Sequence, residues 1–313
     1  MGKIAFVFPG QASQVPGMGG WFYENAPAAR HAYDICDAAL GFKLSEVCFT
    51  GDPAVLALTE NTQPTILATS VAIYHAVKDK LPPPDFVAGH SLGEYSALVA
   101  AGALDLGDAV KTVRLRGQFM QQAVPVGEGA MAALIGLTAE QAQAACDTAA
   151  AVTGMIVTPA NLNAPGQIVI AGHKGAVEAA MKEAKSLGAK LTKLLDVSAP
   201  FHCPLMKPAQ EKLAPVLTAL RWNDPAVPLM NNADAKIVTT QAAALDGLIR
   251  QVSSPVRWEE SMKNLAALGV TTFVEIGPNK VLTGLIKRIV DGAKILNIED
   301  EASLNATVAA LKN

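Results

Sequence analysis

The chain is poor in aromatic residues and in charge. Of its 313 residues, 5% are aromatic and 17% charged, against 50% apolar. The core must be built mainly from Ala, Val, Leu and Ile, and the apolar share excludes a disordered chain. Neither sign of charge dominates: 25 Lys and Arg against 28 Asp and Glu leave a net charge of −3. No long basic run occurs, so no nucleic-acid partner is expected. Cysteines are few, at Cys36, Cys48, Cys146 and Cys203, without metal-binding or disulfide spacing. No membrane helix is expected either. The longest uncharged stretch, Thr148 to Gly172, is broken by Pro159, Asn161, Asn163 and Pro165. Met1-Gly-Lys-Ile-Ala-Phe-Val-Phe8 enters a strand-like run without a leader layout, so a reduced, cytoplasmic setting is expected.

Strand-like and helix-like runs alternate, which argues an α/β fold. Strands are expected at Ile4–Phe8, Phe86–Gly89, Val227–Met230 and Thr272–Ile276. Helices are expected at Pro64–Lys78, Tyr95–Ala101, Leu106–Gln122, Pro204–Leu220, Thr239–Val252, Val256–Leu268 and Lys280–Val290. One stretch has its own pattern. Ala130–Ile135 reads as a strand, and Thr138-Ala-Glu-Gln141 is a capping box opening a helix to about Ala149. Met155–Ala160 and Gln167–Ala171 read as strands around an Asn-Ala-Pro-Gly turn. Ala176–Leu187 is a helix stopped by Gly188, and Leu191–Val197 a last strand. The order β-α-β-β-α-β is that of a ferredoxin-like unit, placed as an insertion at 127–197 in a host formed by 1–126 and 198–313.

Gly89-His-Ser-Leu-Gly93 matches G-x-S-x-G between an apolar run and a helix, the context of a nucleophile elbow. There the turn exposes the Ser91 hydroxyl, and the helix N-terminus offers N–H groups to a developing oxyanion. Without that context the motif is a glycine turn carrying an incidental serine. The loop Phe8-Pro-Gly-Gln-Ala-Ser-Gln14 follows the first strand, and its Gln11 N–H is a candidate second oxyanion donor. The alternative is an ordinary polar turn.

A serine nucleophile needs a base, and five histidines are available. His31 and His75 fall in helical patterns and read as structural. His173 precedes a helix of the insertion and reads as a cap. His90 adjoins Ser91 and is placed to line the pocket. His202, at the re-entry from the insertion, is the best general-base candidate. Cys203 beside it reads as a small buried residue. Asp105, Asp108, Asp147 and Asp196 lie between Ser91 and His202, but spacing does not choose an orienting partner among them. Helix Leu106–Gln122 carries Arg114 and Arg116 on opposite flanks of its apolar face. Either could point into a cleft and hold a carboxylate bidentately, but for an arginine taken alone the solvated helix edge is the stronger reading.

Seven ordered segments together resemble the malonyl-CoA:acyl carrier protein transacylase family, the acyltransferases of fatty-acid synthesis. They are Phe8-Pro-Gly-Gln11, Gly89-His-Ser-Leu-Gly-Glu-Tyr95, Arg116-Gly-Gln-Phe-Met120, Asn161-Leu-Asn-Ala-Pro-Gly-Gln-Ile-Val-Ile-Ala-Gly172, Pro200-Phe-His202, Gln251-Val-Ser-Ser-Pro-Val256, and Glu275-Ile-Gly-Pro278 with Val281-Leu-Thr-Gly284. The resemblance implies an α/β-hydrolase-like large subdomain with a parallel sheet and a ferredoxin-like small one. It implies Ser91 as nucleophile and His202 as base, oriented by the backbone carbonyl of Gln251 rather than by an Asp. Gln11 and Leu92 are then the oxyanion donors. Arg116, not Arg114, holds the malonyl carboxylate, and Phe201 marks malonyl selectivity. Malonyl-CoA and acyl carrier protein are the implied partners; no metal or resident cofactor is implied. Ala12 departs from the family, which commonly has Gly there. Acidic carrier proteins call for a basic surface, and Lys287-Arg288 and the group Lys182, Lys185, Lys190 and Lys193 are the candidates. Competing readings are a serine thioesterase or esterase, a non-catalytic carrier-binding module, and a stand-alone polyketide acyltransferase.

Overall fold

The computed structural model describes residues 2–197 and 199–312. The expected segment boundary at 198 therefore lies outside the described residues. Strands are β1 Lys3–Phe8, β2 Phe86–Gly89, β3 Gly129–Ile135, β4 Val157–Ala164, β5 Gln167–His173, β6 Leu191–Leu194, β7 Leu229–Met230, β8 Ile237–Val238, β9 Val270–Ile276 and β10 Lys294–Ile298.

The first sheet has the order β10-β9-β1-β2-β7-β8. Its first five strands pair in parallel, and only β8 runs antiparallel, against β7. Helices cover both faces, so β1 and β2 read as near-continuous apolar runs. Phe8 pairs with Gly89, which sets the loops after β1 and β2 side by side at the carboxyl edge of the sheet. That edge is where open α/β sheets place their sites. One helix, Thr59–Val77, is buried nearly all round. It begins five residues before Pro64, the expected start. Thr62 and Thr65 hydroxyls donate to Leu58 and Asn61 carbonyls in the first turns.

The second sheet is antiparallel throughout, in the order β4-β5-β3-β6. With helices Ala139–Thr153 and Lys174–Ser186 in the connections, this is the ferredoxin-like arrangement. Alternation along β3 divides its two faces. Ala132 and Leu134 pack under the two helices with Ala142, Ala145, Ala176 and Ala180. Met131 joins the core of the large sheet together with Val169 and Ala171. The small sheet thus roofs the carboxyl edge of the large one.

The expected elements recur with shifted ends. Leu191–Val197 shortens to Leu191–Leu194, and Lys280–Val290 to a helix at Val281–Ile286. Helix Pro27–Leu40 accounts for the helical pattern around His31; helices Gly20–Asn25, Leu44–Phe49, Pro53–Ala57 and Glu301–Lys312 were not anticipated, nor were β8 and β10. His173 corrects another expectation. It stands at the N-terminus of Lys174–Ser186 but makes no side-chain cap; its Nδ1 accepts from Ile156 N instead (3.1 Å).

Candidate active site

The elbow after β2 is held by close backbone contact with the loop after β1. A Cβ on Gly93 would lie 2.1 Å from Phe8 O, and one on Gly89 1.9 Å from the Gly93 carbonyl carbon. Only glycine permits this approach. Ser91 itself sits at φ 53°, in the left-handed region, which points its hydroxyl away from the strand. Helix Gly93–Ala100 begins directly after it. Among the described residues, the N–H groups of Gln11 and Leu92 donate to no protein acceptor. Ala12 adopts φ 81°, which explains why glycine suits that position better.

Ser91 Oγ donates to His202 Nε2 at 2.7 Å. His202 Nδ1 donates to the backbone carbonyl of Gln251 at 3.0 Å. A carbonyl can only accept, so Nδ1 carries the proton and Nε2 is left basic. None of the four aspartates considered in the sequence orients this ring. Asp105 caps helix Leu106–Gln122, Asp108 pairs with Lys111, and Asp147 and Asp196 are exposed. His202 is buried. Burial, and next the neighbouring Arg116 charge, push its pKa down to about 3. Cys203 is also buried, with its thiol pushed up to about 12, and donates to Pro200 O.

The two arginines separate clearly. Arg114 is half-buried, donates to Asn61 Oδ1 (3.1 Å) and lies over the Phe42 ring. Arg116 is 1% exposed. Its Nη1 donates to Gln63 Oε1 at 2.7 Å, and its Nη2 to Gln251 Oε1 at 3.0 Å and Ser91 Oγ at 3.1 Å. Its Nε is buried without a hydrogen-bond partner among the described residues. All its direct partners are neutral, a costly setting for a guanidinium and one suited to receiving an anion.

The hydroxyl opens into a cavity of about 310 Å³ between the two sheets. Gln11, His90, Arg116 and Phe201 contribute to its walls, with Met131 and Val169 from the small sheet. His90 Nε2 meets Asn163 Oδ1 at 2.8 Å, and its ring stands edge-on to Trp258. Burial lowers the His90 pKa. Among the described residues, no group of three His, Cys, Asp or Glu side chains is arranged to hold a metal ion. No helix among them is long and apolar enough to cross a membrane.

Three residues of this site escaped the sequence reading. Gln63 comes from the buried helix Thr59–Val77. Asn232 accepts from Ser91 N (2.7 Å) and donates through Nδ2 to Gly89 O (2.7 Å). Glu94, 1% exposed, accepts at Oε2 from Gln251 Nε2 (2.8 Å) and from Asn232 N (3.0 Å). Burial raises its carboxyl to about 7.

Comparison with known proteins gives this arrangement its family. Residues 5–309 match the acyl transferase domain family. The malonyl CoA-acyl carrier protein transacylase of Bacillus subtilis is 51% identical over 312 residues, spanning 100% of this chain and 98% of its own. The chain belongs to the malonyl CoA-acyl carrier protein transacylase family. Solved structures agree with that membership. An acyl carrier protein S-malonyltransferase from Vibrio cholerae superposes with a TM-score of 0.95 at 47% identity, covering 97% of this chain and 99% of that one. A malonyl-transacylase solved in complex with its type II polyketide-synthase acyl-carrier protein gives a TM-score of 0.95 at 44% identity, covering 98% and 99%. The large α/β and small ferredoxin-like subdomains are those of the transacylase family.

Proposed function

We propose that this chain transfers the malonyl group from malonyl-CoA to the phosphopantetheine thiol of acyl carrier protein, in fatty-acid biosynthesis, through a malonyl ester on Ser91. The observation that carries this reading is one hydroxyl served by two groups. Ser91 Oγ lies 2.7 Å from a neutral imidazole and 3.1 Å from a buried guanidinium. The imidazole activates the serine; the guanidinium selects an acyl group that ends in a carboxylate. A simple esterase has no use for that second group.

In the first half-reaction His202 Nε2 takes the Ser91 proton as Oγ attacks the thioester carbonyl. The N–H groups of Gln11 and Leu92 stabilise the oxyanion. Collapse expels the CoA thiolate, which takes the proton back from His202. Arg116 pairs with the malonyl carboxylate and fixes the acyl orientation. In the second half-reaction the carrier thiol gives its proton to His202 and attacks the ester, and Ser91 recovers a proton as it leaves. The Gln251 carbonyl keeps the imidazole in its working tautomer throughout. His90 and Phe201 line the acyl pocket. This chemistry requires no metal or resident cofactor, and a cytoplasmic setting goes with it.

The catalytic subdomain in this reading is formed by 1–126 and 198–313, with 127–197 as the insertion that roofs the cleft. The strand and helix order supports that division. On the basic surface, Lys287, Lys190 and Lys193 are exposed and suit an acidic carrier. Arg288 is committed elsewhere: it donates to Gln167 Oε1 (2.6 Å) and Pro165 O (2.9 Å), tying the host to the β4–β5 turn. Malonate release from malonyl-CoA, measured with and without carrier protein, tests the reading. Rapid transfer to carrier with slow hydrolysis is expected. Equal malonate release in both conditions would replace the transferase by a thioesterase.

A further inference from the structure

Glu94 is a buried carboxyl group that the proposed reaction does not use. Every group bonded to it donates to it, and each donor belongs to a residue that bonds the site: Gln251 holds His202 and Arg116, and Asn232 holds the Ser91 backbone. Gln251 Nε2 reaches Glu94 Oε2 at 2.8 Å and Ser91 O at 2.9 Å. Those two bonds fix which way round the Gln251 amide stands, leaving Oε1 facing Arg116 Nη2 at 3.0 Å. A reversed amide would set Oε1 against two acceptors and its NH₂ against a guanidinium. The second donor is Asn232 N, at 3.0 Å, whose side chain in turn accepts from Ser91 N at 2.7 Å.

The remaining oxygen is informative. Glu94 Oε1 is buried and has no hydrogen-bond partner among the described residues. A proton, when present, sits on that free oxygen, so Oε2 accepts in either protonation state. Arg116 also needs a counter-charge, because Gln63, Gln251 and Ser91 are all neutral. Glu94 is the buried acid one amide away.

We propose that Glu94 is a positioning residue for acyl selectivity: through the Gln251 amide it aims the Arg116 guanidinium at the acyl carboxylate, and through Asn232 it fixes the Ser91 backbone. The proposal rests on the assignment of Arg116 as carboxylate receptor. Two consequences separate its two limbs. Loss of the Asn232 limb slows every acyl donor alike. Loss of the Gln251 limb slows carboxylated donors selectively.

The test uses the full chain and single-turnover acylation by malonyl-CoA and acetyl-CoA. Glu94→Met keeps the unbranched shape and removes the acceptor. It should lower the malonyl-to-acetyl rate ratio at least about tenfold, the worth of one hydrogen bond to a charged group. Glu94→Gln still offers an oxygen and should hold the ratio within about threefold of the parent. In a Gln251→Leu background, Glu94→Met should leave the ratio unchanged. A folded Glu94→Met protein with a ratio within twofold of the parent overturns the proposal, as does an undiminished effect in the Gln251→Leu background. If Glu94→Met does not fold, Glu94→Asp carries the same test, since it withdraws the carboxylate from Gln251 by one C–C bond. A parent protein that does not prefer malonyl-CoA would instead sink the carboxylate assignment of Arg116.

Discussion

Replacing Arg116 by alanine separates what the guanidinium does from what the elbow does. In the structure its Nη2 bridges Ser91 Oγ and Gln251 Oε1, and its Nε has no partner among the described residues. A malonyl carboxylate entering the cavity meets a desolvated fork of donors. Charge-assisted hydrogen bonds of this kind are worth about 1.5–3 kcal/mol. At about 1.4 kcal/mol per tenfold, their loss cuts malonyl acylation by about 10- to 100-fold. Acetyl acylation, which forms no such contact, should hold or rise. The fold should survive, because the change also removes an ion whose direct partners are neutral and so relieves its desolvation cost. The assay is rapid-quench acylation with each thioester, read by intact mass. Arg114→Ala is the control: it loses one bond to Asn61 and the Phe42 stacking, and should leave the ratio of the two rates unchanged. An unchanged ratio in Arg116→Ala, or a collapsed ratio in Arg114→Ala, would show that Arg116 is not the carboxylate receptor.

His202 should stay neutral in the free enzyme far below the ordinary histidine value, since burial and then Arg116 push its pKa to about 3; kcat/KM for malonyl-CoA should be level from about pH 8 to pH 5, and an acid limb centred near 6.5 would contradict the assignment. Glu275 accepts from Leu282 N and Thr283 N and is raised by burial from 4.5 to about 7. Its contribution to stability is full below 4.5 and lost as pH rises through 7. The stability of Glu275→Gln relative to the parent should therefore climb by up to about 3 kcal/mol across that window, and denaturant melts showing no climb would count against it. Ala12→Gly relieves a non-glycine residue at φ 81° and should raise stability by up to about 1 kcal/mol; a lower denaturation midpoint would show that the loop needs the Ala12 methyl.

The insertion was legible because its signals are local and agree with one another. Thr138 and Gln141 do form the capping box, and Gly154 and Gly188 both take positive φ at helix ends. The region from 14 to 57, apart from the helical pattern around His31, was opaque for the opposite reason. Helices Gly20–Asn25, Leu44–Phe49 and Pro53–Ala57 are short, and Gly19, Ala26 and Lys43 cap helices there without side-chain bonds. Strand β10 was missed because it is a five-residue edge strand with Lys294 and Asn297 in it. In the site, Ser91 and His202 stood out through residue type and context. The choice of Arg116 over Arg114 needed either the family resemblance or the packing, since both flank one helical face. The orienting group of His202 is a backbone carbonyl, which no residue pattern encodes. Gln63, Asn232 and Glu94 are single polar residues whose spacing carries no signal; only the fold brings them under the elbow.

The most direct measurement is the intact mass of the protein after brief mixing with malonyl-CoA in the absence of carrier. One added malonyl group is expected on the parent chain, with its loss on addition of carrier protein bearing a free phosphopantetheine thiol, and no addition to Ser91→Ala. A malonyl adduct that persists on Ser91→Ala would place the nucleophile on another residue.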